Sequence, residues 1–199
     1  MKSNICTIKK GGLGLENILS EVEKVAVYNG LQNKEALRLR LLAEELTGML
    51  PELVKNFDGY FWVENNGNKY ELHTELVVDG LSVEKKQAMI EMSAKKKNAA
   101  VSGFMGKVRD IAENMLLYSQ EPGVNAYYTT GYMYGYAIAD ISYSYAWTLQ
   151  NYISQQKGKM TENTAEWDQL EMSIVAKLAD DVIVGVKGRK VEIVIKKEF

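Results

Sequence analysis

Leu39–Met49, read LRLLAEELTGM, holds the residues best placed to do chemistry. Residues three or four apart share one face of a helix. Leu37, Leu41, Glu44 and Gly48 therefore form one row, set apart from the apolar stripe of Leu39, Leu42, Leu46, Met49 and Leu53. A carboxylate with apolar neighbours on one side is the type of group that takes a proton as a general base. Gly48 leaves the next turn bare, and glycine inside a helix costs roughly 1 kcal/mol relative to alanine. A tolerated glycine predicts that something approaches the helix closely there: a ligand, another helix or an inserted segment.

Bulk composition narrows the classes. The chain has 199 residues, 46% of them apolar, which suits a single domain over 1–199 with a real core. Its 24 basic and 26 acidic side chains give a net charge of −2, so no general attraction to nucleic acid or anionic membrane is expected. One cysteine, Cys6, cannot close an internal disulfide. One histidine, His73, makes a zinc site or a Ser–His–Asp set implausible, and no metal site is expected. No leader is expected at the N-terminus and no continuous apolar run reaches membrane-spanning length, so a cytoplasmic location is expected.

Periodicity gives the elements that must position Glu44. Asn4–Lys9 alternates weakly, as a short strand does. Leu15–Tyr28 carries Leu15, Ile18, Leu19, Val22 and Val25 at helical spacing, and Asn29-Gly30 stops it. Asn33 is the expected cap of a second helix running to about Lys55, with Pro51 expected to kink its last turn. Tyr60–Glu64 and Lys69–Val78 read as a hairpin about Asn65-Asn66-Gly67-Asn68. In its second strand Tyr70, Leu72, Thr74, Leu76 and Val78 face one way, and Glu71, His73 and Glu75 the other, so one sheet face is wet. Ser82–Lys97 and Phe104–Tyr118 read as helices, as does Glu162–Asp180. Val182–Val186 and Val191–Ile195 form a closing hairpin. The order predicts an α+β two-layer sandwich: a mostly antiparallel sheet with helices on one face, and a helical, Tyr-rich insert at 81–160.

Two motifs resemble the ATP-binding domain of the gyrase/histidine-kinase superfamily, which includes the small anti-sigma-factor kinases. One is LLAEELTGML, Leu41–Leu50. The other is SIVAKLADDVIVGVKGRKVEIVIKKEF, Ser173–Phe199, similar to that family's closing helix and hairpin. The chain is also similar to small clostridial proteins described as ATP-binding. The resemblance spans about Leu15–Gly80 and Glu162–Phe199. It implies a site for ATP with Mg²⁺, in which Glu44 is the general base and Gly48 stands where the family's asparagine holds the metal. It makes Asp79, with Gly80 beside it, the adenine contact. In the family the insert is a lid over the nucleotide.

Departures from the family pattern point away from catalysis. Glycine at 48 cannot ligate Mg²⁺. Val77-Val78-Asp79-Gly80-Leu81 keeps the aspartate but misplaces the glycine, and Thr161–Asp168 lacks the second glycine box. The expectation is a degenerate ATPase domain working as a regulatory or partner-binding module. The alternative is an active kinase or ATPase whose metal ligand has moved to Glu45 or Asn98.

Other features have plainer readings. Gly11-Gly12-Leu13-Gly14 follows a strand and opens a helix, but Glu16 would repel phosphate, so a flexible turn is favoured. Lys95-Lys96-Lys97, with Lys107 and Arg109, reads as a solvated helix end; if a ligand binds, Asn98 and Lys107 belong to its mobile wall. Asn125–Tyr152 concentrates tyrosines, and Tyr132, Tyr134, Tyr136, Tyr143 and Tyr145 are the candidate surface for a protein partner, which is a third possible role. His73 reads as a surface histidine and Cys6 as a small buried hydrophobe.

Overall fold

A computed structural model of the chain describes residues 1–9, 13–53, 57–78, 108, 111, 112, 115, 116, 145–158, 174–187 and 189–199. Its elements run β1 (Cys6–Ile8), α1 (Leu15–Tyr28), α2 (Asn33–Leu53), β2 (Phe57–Asn66), β3 (Lys69–Val78), β4 (Tyr145–Thr148), α3 (Leu149–Gly158), α4 (Ile174–Leu178), β5 (Asp181–Lys187) and β6 (Lys190–Glu198). The strands form one six-stranded sheet in the order β1-β2-β3-β6-β5-β4. Every pairing in it is antiparallel.

Alternation explains the sheet. Phe61, Val63, Tyr70, Leu72, Thr74 and Leu76 of the first ribbon are buried, as are Val182, Val184, Val186, Val191, Ile193 and Ile195 of the second. Side chains on a strand alternate between faces, so these residues make one continuous apolar face across β2, β3, β6 and β5. The β3–β6 pairing, with Leu72 opposite Ile195 and Thr74 opposite Ile193, joins the two ribbons edge to edge. The helices cover that face with Ile18, Val22 and Val25 of α1 and Leu39, Leu42, Leu46, Met49 and Leu50 of α2. Each fully buried Leu, Ile or Val contributes about 1.5–3 kcal/mol relative to exposure. The α+β architecture read from the sequence is therefore present. Val108, Ala112, Met115 and Leu116, helical residues from the stretch read as a helix at 104–118, join the same core.

Several local expectations need correction. The start of α2 is capped one residue earlier than expected. Glu35 reaches back to accept the Gln32 N–H at 2.9 Å, and the Gln32 carbonyl accepts from Ala36. This is half of a capping box, and Gln32 rather than Asn33 is the cap residue. Pro51 lies within α2, which extends to Leu53, and residues 54–56 lie outside the described residues. The first hairpin is tighter than expected, because Asn66 pairs with Lys69 and only Gly67 and Asn68 form the turn. Gly67 has φ 64° there, as a two-residue hairpin turn requires. The largest correction concerns the insert. Tyr145–Gly158, its C-terminal end as read from sequence, supplies strand β4 and helix α3 to the main body instead. The first part of the expected closing helix, residues 162–173, lies outside the described residues.

The N-terminal arm is fixed to α1 by a buried acid. Glu21 accepts from the Asn4 N–H at 3.1 Å and from Asn4 Nδ2 at 3.0 Å. Lys24 Nζ lies 3.4 Å from its other oxygen. Gly14 caps α1 with φ 94°, and a Cβ there would run into the Thr7 carbonyl oxygen, so only glycine fits.

Candidate functional site

The row on α2 is where sequence chemistry and geometry meet. The apolar stripe turns inward, so the row of Leu37, Leu41, Glu44 and Gly48 turns outward. Leu37 is exposed and Glu44 is half-buried. Arg40, one turn before Glu44, donates from Nε to Glu44 Oε1 at 2.8 Å. The same guanidinium is ion-paired with Glu23 of α1. The Glu44 hydrogen bond first, and the Glu23 charge second, push the Arg40 guanidinium up from its ordinary value. Glu44 is therefore one end of a Glu23–Arg40–Glu44 chain across the outer surface of the two helices.

At Gly48 the described residues leave open space. The position is exposed, and a Cβ built there meets nothing within 4 Å. Among the described residues no helix or strand approaches closely enough to demand glycine. Gly48→Ala is therefore expected to raise stability by about 1 kcal/mol through helix propensity alone. A urea midpoint shifted upward would show this; a downward shift would mean that something else occupies the space.

The remaining residues of the expected nucleotide site, Asp79, Gly80, Asn98 and Lys107, lie outside the described residues, as do Lys95–Lys97. So do Tyr132, Tyr134, Tyr136 and Tyr143 of the candidate partner surface. Tyr145 is the first residue of β4, where it pairs with Val186. Gly14 of the glycine-rich turn serves as the α1 cap described above. Among the described residues no group of three or more His, Cys, Asp or Glu side chains could hold a metal. No helix among them is long and apolar enough to cross a membrane.

Two single residues differ from their sequence readings. Cys6 is partly exposed rather than buried, and burial, then the charge of Glu21, pushes its thiol up, away from the reactive thiolate. His73 lies on the outer sheet face as expected, but its side chain is only 13% exposed. It stacks on Trp62 with ring centroids 4.9 Å apart and planes 4° from parallel. Its Nε2 lies 3.2 Å from Glu71, and Nδ1 lies 3.5 Å from Glu192 of β6. Lys2 covers the Trp62 ring at 4.0 Å from its centroid. Glu64 accepts from the Trp62 indole N–H at 2.8 Å, and that bond chiefly holds its carboxyl below the usual range.

The alternation of β3 revealed which face His73 occupies. It could not reveal that β2 would bring Trp62 opposite it or that β6 would bring Glu192 beside it. Those neighbours come from pairing register, not from local sequence. Arg40 and Glu23 were missed for a similar reason. The spacing of Arg40 and Glu44, four apart on one helix, was a usable signal, but Glu23 comes from another helix. No protein-family model matches this chain, no curated protein is detectably similar to it, and no solved structure matches it.

Proposed function

We propose that the chain is a histidine-kinase-like ATPase domain that has lost hydrolysis and works as a regulatory or partner-binding module. The observation that carries this reading is the state of the α2 row. Glu44, at the position of the general base, is tied to Arg40 and through it to Glu23, and the turn that should carry a metal ligand is bare at Gly48. The element order is compatible with the same reading: strand, two helices and a hairpin, then a further strand, two helices and a closing hairpin on one antiparallel sheet. Without a metal ligand on α2, phosphate charge lacks its main neutralising partner there. Nucleotide affinity is therefore weak or lost, and the use left to such a body is to be held by, or to hold, another protein.

Phosphate release from Mg-ATP, measured beside calorimetric titration, tests this. Release is expected to stay at the buffer background in both the natural chain and Glu44→Ala. Turnover that disappears in Glu44→Ala would overturn the proposal in favour of an active kinase or ATPase with a displaced metal ligand. A folded chain that gives no heat at millimolar nucleotide removes the ligand and leaves the interaction role alone.

A further inference from the structure

The outer stripe of α1 breaks the rule that its inner stripe obeys. Ser20, Glu23 and Lys24 face solvent, as an amphipathic helix should arrange. The last turn then places Val27 and Tyr28 on the same side, 82% and 78% exposed. The Glu23–Arg40 ion pair links the outer surfaces of α1 and α2. Leu37 of α2 is also 56% exposed. Val27 and Tyr28 thus form an exposed apolar end to the α1 stripe, next to charges of both signs. Large exposed apolar side chains beside charges mark a surface suited to docking. A shallow, open depression of about 410 Å³ lies on this face of α1, lined by Ser20, Glu23, Lys24, Val27 and Tyr28.

We infer that this face pairs with the same face of a second copy of the chain. The order of residues along the stripe is self-complementary. Consider α1 laid antiparallel on its copy, with the two-fold axis between Glu23 and Lys24. Glu23 then opposes the second copy's Lys24, and small Ser20 opposes the second copy's Val27. Two-fold symmetry makes each contact twice. The charges suit the arrangement. The Lys24 side chain is 68% exposed and only loosely held by Glu21 at 3.4 Å. Glu23 is 49% exposed, and a carboxylate accepts more than one donor. Val27 lies over the second copy's Ser20 on either side of the central charges. A stripe built for an unrelated partner has no need to pair its acid with its own base, or its notch with its own knob.

Sedimentation velocity of the full chain over a concentration series decides the matter. A reversible monomer–dimer equilibrium is expected. Val27→Asp and Lys24→Glu should each weaken it by about tenfold or more, with far-UV circular dichroism and urea midpoints unchanged because both side chains are exposed. Tyr60→Asp, on the opposite side of the sheet, should leave the dissociation constant as it is. A chain that stays monomeric up to millimolar concentration overturns the inference. So does a dimer that survives Val27→Asp but not Tyr60→Asp, or a strictly monomeric chain that binds a different protein through Val27.

Discussion

Gly59→Ala is expected to cost the fold about 3 kcal/mol, because a methyl group there has no space that a neighbour can yield. Gly59 is buried in β2, between Ile8 of β1 and Leu76 of β3. A Cβ at this position would lie 2.5 Å from the Glu75 carbonyl oxygen and 2.7 Å from Leu76 Cδ2. The leucine methyl can turn away, but the carbonyl belongs to the backbone of the paired strand. Relief therefore requires β2 and β3 to separate locally, which weakens the pairing that positions β1 on the other side. For a chain of this size the loss corresponds to a fall in Tm of roughly 10 °C. Thermal and urea unfolding of Gly59→Ala measure it. A midpoint indistinguishable from the natural chain would mean that the strands do not pair in this register.

Leu46→Ala is expected to remove about 3.5 kcal/mol, the middle of the range for truncating a fully buried leucine. Leu46 is 0% exposed and belongs to the α2 stripe that packs the helical layer onto the sheet. Truncation loses the transfer energy of the side chain and leaves a void that two helices and a sheet cannot close together. Leu46→Met keeps the volume and should cost less than about 1.5 kcal/mol. The contrast with Gly48 sharpens the test. Two residues along the same helix, adding a methyl stabilises; at Leu46, removing methyls destabilises. Urea midpoints of both variants of Leu46 check it. Equal small losses for Ala and Met would show that α2 does not present this face to the core.

Much of the fold could be read from the chain because the deciding patterns are local. Helix α1 has the bounds that its periodicity gives, since Asn29-Gly30 ends it and Gly14 begins it. Both hairpins follow from alternation about short turns. What stayed hidden depends on distant pairing. The segment Tyr145–Thr148 alternates no better than the tyrosine-rich residues before it, so only β5 lying alongside makes it a strand. The cap of α2 moved from Asn33 to Gln32 because Glu35 can reach back only three residues. The candidate site was legible to the level of one glutamate. Its partner on the same helix was within reach of spacing rules, whereas Glu23 required knowing how α1 lies against α2. Of the wider nucleotide site, Asp79, Gly80, Asn98 and Lys107 stay expectations drawn from the resemblance.

The seam between β3 and β6 also governs how this protein comes into being. Residues 69–77 wait for partners at 190–198, more than a hundred positions later. On a translating ribosome the first ribbon emerges early with one flank bare, and unpaired flanks invite foreign strands. Closure between such remote segments is slow, since a long loop must be tied before any contact rewards it. The open flank of the first ribbon therefore stays available to foreign strands until residues 190–198 have been made and paired.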